Sequence, residues 1–287
     1  MVLLEETITS PQNKYVSLAR GLTSKKNREN SLSFRFDGVK LLCEAIKRDV
    51  ELSFILVSEK EVESVFDKAE KLYGITKNDV SCRVMPVAEH VFAKLSEEQA
   101  PEGVICVASY VEAMHKRISS IEDLDFGDDK ILLLESVRDP QNVGAISRVA
   151  VAFGVKKIIM SADCADIYNS KTLRASMGAV FASKIDIVDD IPSAIRQIKR
   201  SGRRVFAAAL NKNAQTLGSF DLLRGDCVII GNEGHGLSGE AIEACEDAVF
   251  IPMTDGVESL NAATAAAVLV WEFFGSGKAD SCEISSK

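Results

Sequence analysis

Residues that could do chemistry gather in three short polar stretches, each lying between apolar runs. The first is DPQNVGAISR, residues 139–148. It offers Asp139, Asn142 and Arg148, but no Ser, Cys or His placed as a covalent nucleophile would be. Asn142 precedes an apolar series at helical spacing, Val143, Ile146, Val149, Ala150 and Phe153, which Gly154 stops. The spacing predicts a helix with Asn142 as N-cap and Gly154 just past its end. Arg148 falls on the opposite face, and Gly144 and Ala145 one turn back leave room for something bulky beside the guanidinium. Such an Arg is either an ordinary surface cation or one aimed at a phosphate or a developing oxyanion.

The second stretch, GNEGHGLSGE (231–240), follows the apolar run DCVII and opens a short helical pattern. Gly234, Gly236 and Gly239 form a GxGxxG match, the dinucleotide fingerprint when its context holds. Here the helix ends near Cys245, and too little chain follows for a second half-fold. A glycine-rich turn bringing backbone groups against a ligand is the reading that remains. Glu233 stands at the strand exit, and His235 reads as incidental. The third stretch, IPMTDGVESLNAATAAAVLVWEFF (251–274), predicts a buried, Ala-rich helix capped by Ser259 and running to Phe274. Ser259 and Asn261 fall at its first turn, where backbone N–H groups are free.

Alternating strand and helix signals position these stretches. From residue 130 onward, ILLLESV, KKIIMSA, SKIDIVD, RRVFAAAL, DCVIIGNE and DAVFIPM are short apolar runs expected of strands covered on both faces. Their alternation with helices implies βαβ units and a mostly parallel sheet, with ligands outside the carboxyl ends of the strands. The first part of the chain reads as a smaller α/β unit. QNKYVSLARGL, DGVKLLCEAIKR, EVESVFDKAEKLYG and AEHVFAKLSEEQ are helical there, and ELSFILVS, SCRVMPV and GVICVASY are strands. The expected layout is an α/β substrate domain over 1–111, a charge-rich linker over 112–129, a parallel-sheet domain over 130–277 and a tail over 278–287.

Composition narrows the class. No apolar segment approaches the ~20 residues of a membrane-spanning helix. The seven Cys are scattered without a CxxC pair, which suggests buried thiols in a reducing, cytoplasmic setting rather than a disulfide framework or metal site. A net charge of −8 argues weakly against nucleic acid, yet residues 11–40 are locally basic, with Arg20, Lys25, Lys26, Arg28 and Arg35 among them. Phosphate attraction acts over a Debye length of about 8–10 Å, so one basic surface suffices to bind RNA. Alone, the cluster reads rather as a solvated helix face and loop.

Together the three stretches resemble the signature motifs of the SpoU/TrmH family, within the SPOUT class of RNA methyltransferases. DPQNVGAISRVAVAFG (139–154) resembles the first motif, IIGNEGHGLS (229–238) the second and IPMTDGVESLNAATA (251–265) the third. SKTLRASMGAVF (170–181) also resembles a family segment. The N-terminal part is similar, less strongly, to the family's ribosomal-protein-like substrate domain, with Asp37 where an acidic residue is common. Ala-Ala-Thr after SLN departs from the commoner Val-Ser-Val. The resemblance implies a deep trefoil knot in the C-terminal sheet domain, S-adenosylmethionine held by the knot loops, no metal, and a homodimer. It implies cofactor contacts at Leu210, Gly231, Asn232, Ile251 and Leu260, and catalytic or site-shaping roles for Asn142, Arg148, Glu233, Ser259 and Asn261. The basic residues Arg20, Lys25, Lys26, Arg28 and Arg35 are then the expected RNA contacts.

The implied reaction explains why no nucleophilic side chain is needed. Methyl transfer from a sulfonium to a ribose 2′-hydroxyl is a direct displacement in which the substrate oxygen attacks. An arginine stays protonated up to a pKa above about 12, so holding a phosphate and stabilising an incipient alkoxide suits Arg148 better than a base role. The two-domain layout favours ribosomal over transfer RNA by analogy. The competing expectations are a nicotinamide-dependent oxidoreductase, resting on the GxGxxG match, and a non-catalytic RNA-binding module.

Overall fold

The computed structural model describes residues 6–97, 100–112, 115–127, 130–210, 214–254 and 259–275. The chain forms two compact units: residues 1–113 with 166–182, and residues 114–165 with 183–287.

The first unit contains α1 (Lys14–Gly21), α2 (Lys25–Ser31), β1 (Ser33–Asp37), α3 (Val39–Lys47), β2 (Leu52–Ser58), α4 (Val62–Tyr73), β3 (Arg83–Val87), α5 (Glu89–Phe92) and β4 (Val104–Ser109). Its sheet runs β1-β4-β2-β3, antiparallel except for the β2–β3 pair. The strands expected over ELSFILVS, SCRVMPV and GVICVASY are present. SFRFD, not anticipated as a strand, forms edge strand β1, where Phe34 and Phe36 pack inward.

The second unit contains β5 (His115–Arg117), β6 (Ile131–Leu134), α6 (Pro140–Ala152) and β7 (Lys157–Ser161). After α7 (Ser170–Ser176), which belongs to the first unit, come β8 (Lys184–Val188), α8 (Ile191–Arg200), β9 (Val205–Ala208), β10 (Gln215–Thr216), β11 (Cys227–Ile230), α9 (Gly239–Ala244), β12 (Asp247–Phe250) and α10 (Ala262–Val270). All six strands expected after residue 130 are present. They lie in one all-parallel sheet ordered β10-β12-β9-β11-β6-β7-β8-β5. Every residue of β6, β7 and β11 is buried, as their continuous apolar runs require of central parallel strands.

Two segments depart from the expected layout. The stretch expected as linker contributes β5 to the sheet edge. It also sends Ile118, Ile121, Leu124 and Phe126 into the core against α8 and β6. These apolar residues stand singly among charges, so no run announces them. Residues 166–182 leave the sheet domain and pack within the first unit. Tyr168 stacks on Tyr110 with ring centroids 4.0 Å apart and lies 4.5 Å from Phe34, and Phe181 reaches Phe36 at 5.6 Å. The expected tail over 278–287 lies outside the described residues. Among the described residues, no helix is long and apolar enough to cross a membrane.

Candidate active site

The three polar stretches meet at the carboxyl ends of β6, β11 and β12. Helix α6 begins one turn earlier than expected. Asp139, not Asn142, is its N-cap, accepting a hydrogen bond from the Gln141 N–H at 2.8 Å, and Pro140 takes the first helical position. Gly154 follows the helix end with φ +77°, as the sequence suggested. Freed from capping, Asn142 is 6% exposed and turns its side chain outward from the helix axis to two partners. Its Nδ2 donates to Glu233 Oε1 at 2.7 Å, and its Oδ1 accepts from Asn261 Nδ2 at 3.0 Å.

Asn261 likewise displaces Ser259 as the cap of α10. Its Oδ1 accepts from the backbone N–H groups of Ala263 (2.9 Å) and Thr264 (3.3 Å). Its amide nitrogen is thereby aimed at Asn142. A buried amide thus links the α10 N-terminus to a carboxylate on the β11 loop, one residue from each motif. Helix α10 ends at Val270 and passes into a π-helical turn, Trp271–Gly275. Ser259 is exposed and precedes the helix. Residues 255–258, the middle of the third motif, lie outside the described residues.

The loop after β11 is tightly closed. Asn232 and Gly236 exchange backbone hydrogen bonds, both 3.0 Å. Asn232 Oδ1 accepts from the N–H groups of Gly234 (2.8 Å) and His235 (3.1 Å). A Cβ on Gly231 would lie 2.5 Å from the Gly236 carbonyl carbon, so glycine is required there by the loop's own backbone. Gly236 has φ +70°. Glu233 and His235 are exposed at the tip. Helix α9, opened by Gly239, has six residues, so the GxGxxG match lacks the long crossover helix of a dinucleotide fold.

This loop forms one wall of a cavity of about 520 Å³, within the range of small-molecule sites. Leu210, Gly231, Asn232, Ile251 and Leu260, the five positions matched to cofactor contacts, all line it. Glu233 and Ser259 line it too, while Asn142, Asn261 and Arg148 do not. Ile242, Leu269 and Ala265 complete an apolar wall that the sequence reading did not single out. A more open groove between α8 and α9 carries Arg196 and Arg200 opposite Glu240 and Glu243 and contains none of the sequence-derived residues.

Arg148 is exposed on α6 and makes no hydrogen bond or ion pair among the described residues. Behind the site, Ser136 is held at φ +55° by three bonds. Its N–H donates to Ser161 Oγ (2.8 Å), its Oγ to Asp163 (2.7 Å), and its carbonyl accepts from Asn232 Nδ2 (2.8 Å). Arg138 donates to the same Asp163 at 3.0 Å. Partial burial pushes the Asp163 carboxyl up, but the bonds from Ser161, Ser136 and Arg138 outweigh it and leave it below its ordinary value. None of these supports carries a periodic signal, though Glu135 and Ser136 interrupt an otherwise apolar strand exit.

The expected RNA surface divides. Arg20, Lys25 and Lys26 are exposed. Arg28 is 3% exposed, bound to Asp166 at 2.6 Å and to the carbonyls of Leu22 and Thr23. Arg35 is 2% exposed, and its Nη2 donates to both carboxylate oxygens of Asp37 at 2.9 Å. Both are committed internally and cannot contact RNA without breaking buried ion pairs, at about 3–5 kcal/mol each. Their positions among other cations disguised this.

Comparison with known proteins places this geometry in a class. Residues 129–271 match the SpoU rRNA Methylase family, and residues 13–106 match the MRM3-like substrate binding domain. The chain belongs to the SpoU methylase family. It is 27% identical over 268 residues to the 23S rRNA (guanosine(2553)-2′-O)-methyltransferase RlmP of Bacillus subtilis, covering 93% of this chain and 99% of that one. It is 29% identical over 215 residues to the 23S rRNA (guanosine-2′-O-)-methyltransferase RlmB of Bordetella pertussis, covering 75% and 83%. The AdoMet-bound rRNA methyltransferase of Sinorhizobium meliloti superposes with a TM-score of 0.76 at 27% identity, covering 94% and 97%.

Proposed function

We propose that the protein transfers a methyl group from S-adenosylmethionine to a ribose 2′-hydroxyl of ribosomal RNA. The observation that carries this reading is the convergence of Asn142, Glu233 and Asn261, one from each motif, beside a cavity of cofactor size. The cavity suits S-adenosylmethionine: its apolar wall from Leu260, Ile251 and Ile242 and the backbone polar groups of the 231–237 loop would hold the cofactor. Bound there, the cofactor supplies a sulfonium-activated methyl.

The protein's own task is to align the attacking hydroxyl and to manage its proton and charge. Glu233, fixed through Oε1 by Asn142, keeps Oε2 without a partner among the described residues and able to accept a hydrogen bond from a ribose hydroxyl. Arg148, without a partner among the described residues and on the helix that carries Asn142, is suited to a phosphate and to the incipient alkoxide. Asn142, Asn261 and Ser259 shape the site around them. Arg20, Lys25 and Lys26 offer an RNA-facing charge on the first unit.

Ribosomal RNA is favoured over transfer RNA by the RlmP relative, which matches nearly end to end, and by the MRM3-like match. A knotted chain is supported by the strand order: β11 inserts between β9 and β6, β12 lies beyond β9, and α10 then packs on α6. A homodimer is supported by Val268 and Trp271, which leave apolar surface exposed along α10 and its π turn. A ribosomal RNA substrate supports a cytoplasmic location. Mapping 2′-O-methyl sites in total RNA with and without the gene tests the reading. One ribosomal position should lose its methyl group. Loss at a transfer RNA position instead would reassign the substrate.

A further inference from the structure

The loop after β11 is anchored from outside by a residue that does not line the cavity. Glu135, the residue after β6, is 8% exposed. Its Oε2 accepts from the Ser238 backbone N–H and its Oε1 from the Ser238 hydroxyl, both at 2.8 Å. Ser238 ends the 231–238 loop and caps α9, its Oγ accepting from the Ala241 N–H at 3.2 Å. It is bracketed by Leu237 and Ile242, which both line the cavity. The other end of the loop is tied to the neighbouring residue, through Asn232 Nδ2 on the Ser136 carbonyl. The β6 exit thus grips both ends of the loop, and Glu135 holds the end that carries the cavity wall.

We infer that Glu135 is a positioning residue for cofactor binding, fixing the Leu237–Ile242 wall through its two-bond grip on Ser238. The inference rests on the cavity being the S-adenosylmethionine site. Charge-assisted, two-point bonds fix orientation as well as distance. No other polar side chain bonds Ser238 among the described residues, so removal of the carboxylate leaves the loop end to water. Folding should survive, because Ser238 is exposed and water can satisfy its N–H, and because the change removes a buried charge rather than orphaning one. The cost should fall on the geometry of the wall.

The test compares full-length wild type with Glu135→Ala, Glu135→Gln and Leu260→Arg. Calorimetry measures S-adenosylmethionine binding, and methylation kinetics at saturating RNA give KM for the cofactor and kcat. Glu135→Ala should weaken binding at least tenfold and raise KM in parallel. Its kcat at saturating cofactor should stay within about threefold of wild type, because Asn142 and Glu233 are held by other bonds and Arg148 is carried by helix α6. Glu135→Gln should recover most of the affinity, its amide oxygen accepting from the Ser238 N–H and its NH2 donating to Oγ. Leu260→Arg should abolish binding by filling the cavity. Unchanged affinity in Glu135→Ala, with binding lost in Leu260→Arg, overturns the role of Glu135. A fall in kcat at unchanged KM overturns it as well. Undiminished binding in Leu260→Arg instead removes the cavity assignment beneath it.

Discussion

Replacing Asn142 by Asp changes one NH2 for an oxygen and tests the amide bridge at the centre of the site. The new carboxylate can still accept from Asn261 Nδ2, but it faces Glu233 Oε1 where the wild-type amide donates at 2.7 Å. Two unit charges at that separation and an effective dielectric of about 20 repel by about 6 kcal/mol, which is the ceiling. Glu233 is exposed, and retreat of the side chains with water screening reduces this to roughly 1.5–3 kcal/mol. One of the two carboxyls should therefore have its folded pKa raised by about one to two units above the ~4 of the unfolded chain. A raised folded pKa means that the folded state binds the extra proton. Stability is then retained below pH ~4 and lost as pH rises through about 5–6. Asn142→Ala has no such charge and should show a smaller, pH-independent deficit of about 1–3 kcal/mol from the lost bonds. Denaturant unfolding of wild type and both variants between pH 4.5 and 8 measures the differences. Asn142→Asp should be the less stable variant at pH 8 and should regain stability relative to Asn142→Ala toward pH 5. A pH-independent difference between the variants would refute the direct amide–carboxylate contact.

Other substitutions separate site from scaffold. Arg148→Ala should cost on the order of 10²-fold or more in single-turnover methylation, with Arg148→Lys retaining part, and neither should shift S-adenosylmethionine affinity much. Gly231→Ala puts a Cβ 2.5 Å from the Gly236 backbone, so cofactor binding should fall at least tenfold through displacement of the loop, as calorimetry would read. Reversing Arg20, Lys25 and Lys26 to Glu should weaken RNA binding and flatten its salt dependence while leaving cofactor affinity intact. Arg28→Ala should instead lower stability by about 3–5 kcal/mol in denaturant unfolding, since it orphans Asp166. Burial pushes the thiols of Cys227 and Cys245 up to about 12, so both should resist alkylation at pH 8 until the protein is unfolded.

Much of the sheet domain was legible because its strands are continuous apolar runs and its helices have a clear apolar stripe. The lining of the cavity was legible only through the motif resemblance, since Leu210 follows β9 while Ile251 and Leu260 flank the segment between β12 and α10, and the three share no local period. Both caps were misplaced for one reason. Asn142 and Ser259 are good capping residues, but Asp139 before Pro140, and Asn261 at the start of the Ala-rich run, compete for the same role and win. That outcome releases Asn142 for the site. Arg28 and Arg35 looked like surface cations because charge alone does not reveal burial; their partners, Asp166 and Asp37, lie 138 and two positions away. The path of residues 166–182 into the first unit depends on aromatic contacts among Phe34, Tyr110, Tyr168 and Phe181, which no sequence spacing encodes.

The most direct test of the central claim is nucleoside analysis of ribosomal RNA from cells lacking the gene, after incubation with the full-length protein and methyl-labelled S-adenosylmethionine. The account predicts label in a single 2′-O-methylated nucleoside, lost when Arg148→Ala replaces the wild type. Label on a base, or no transfer to ribosomal RNA alone or within ribosomal particles, would contradict it.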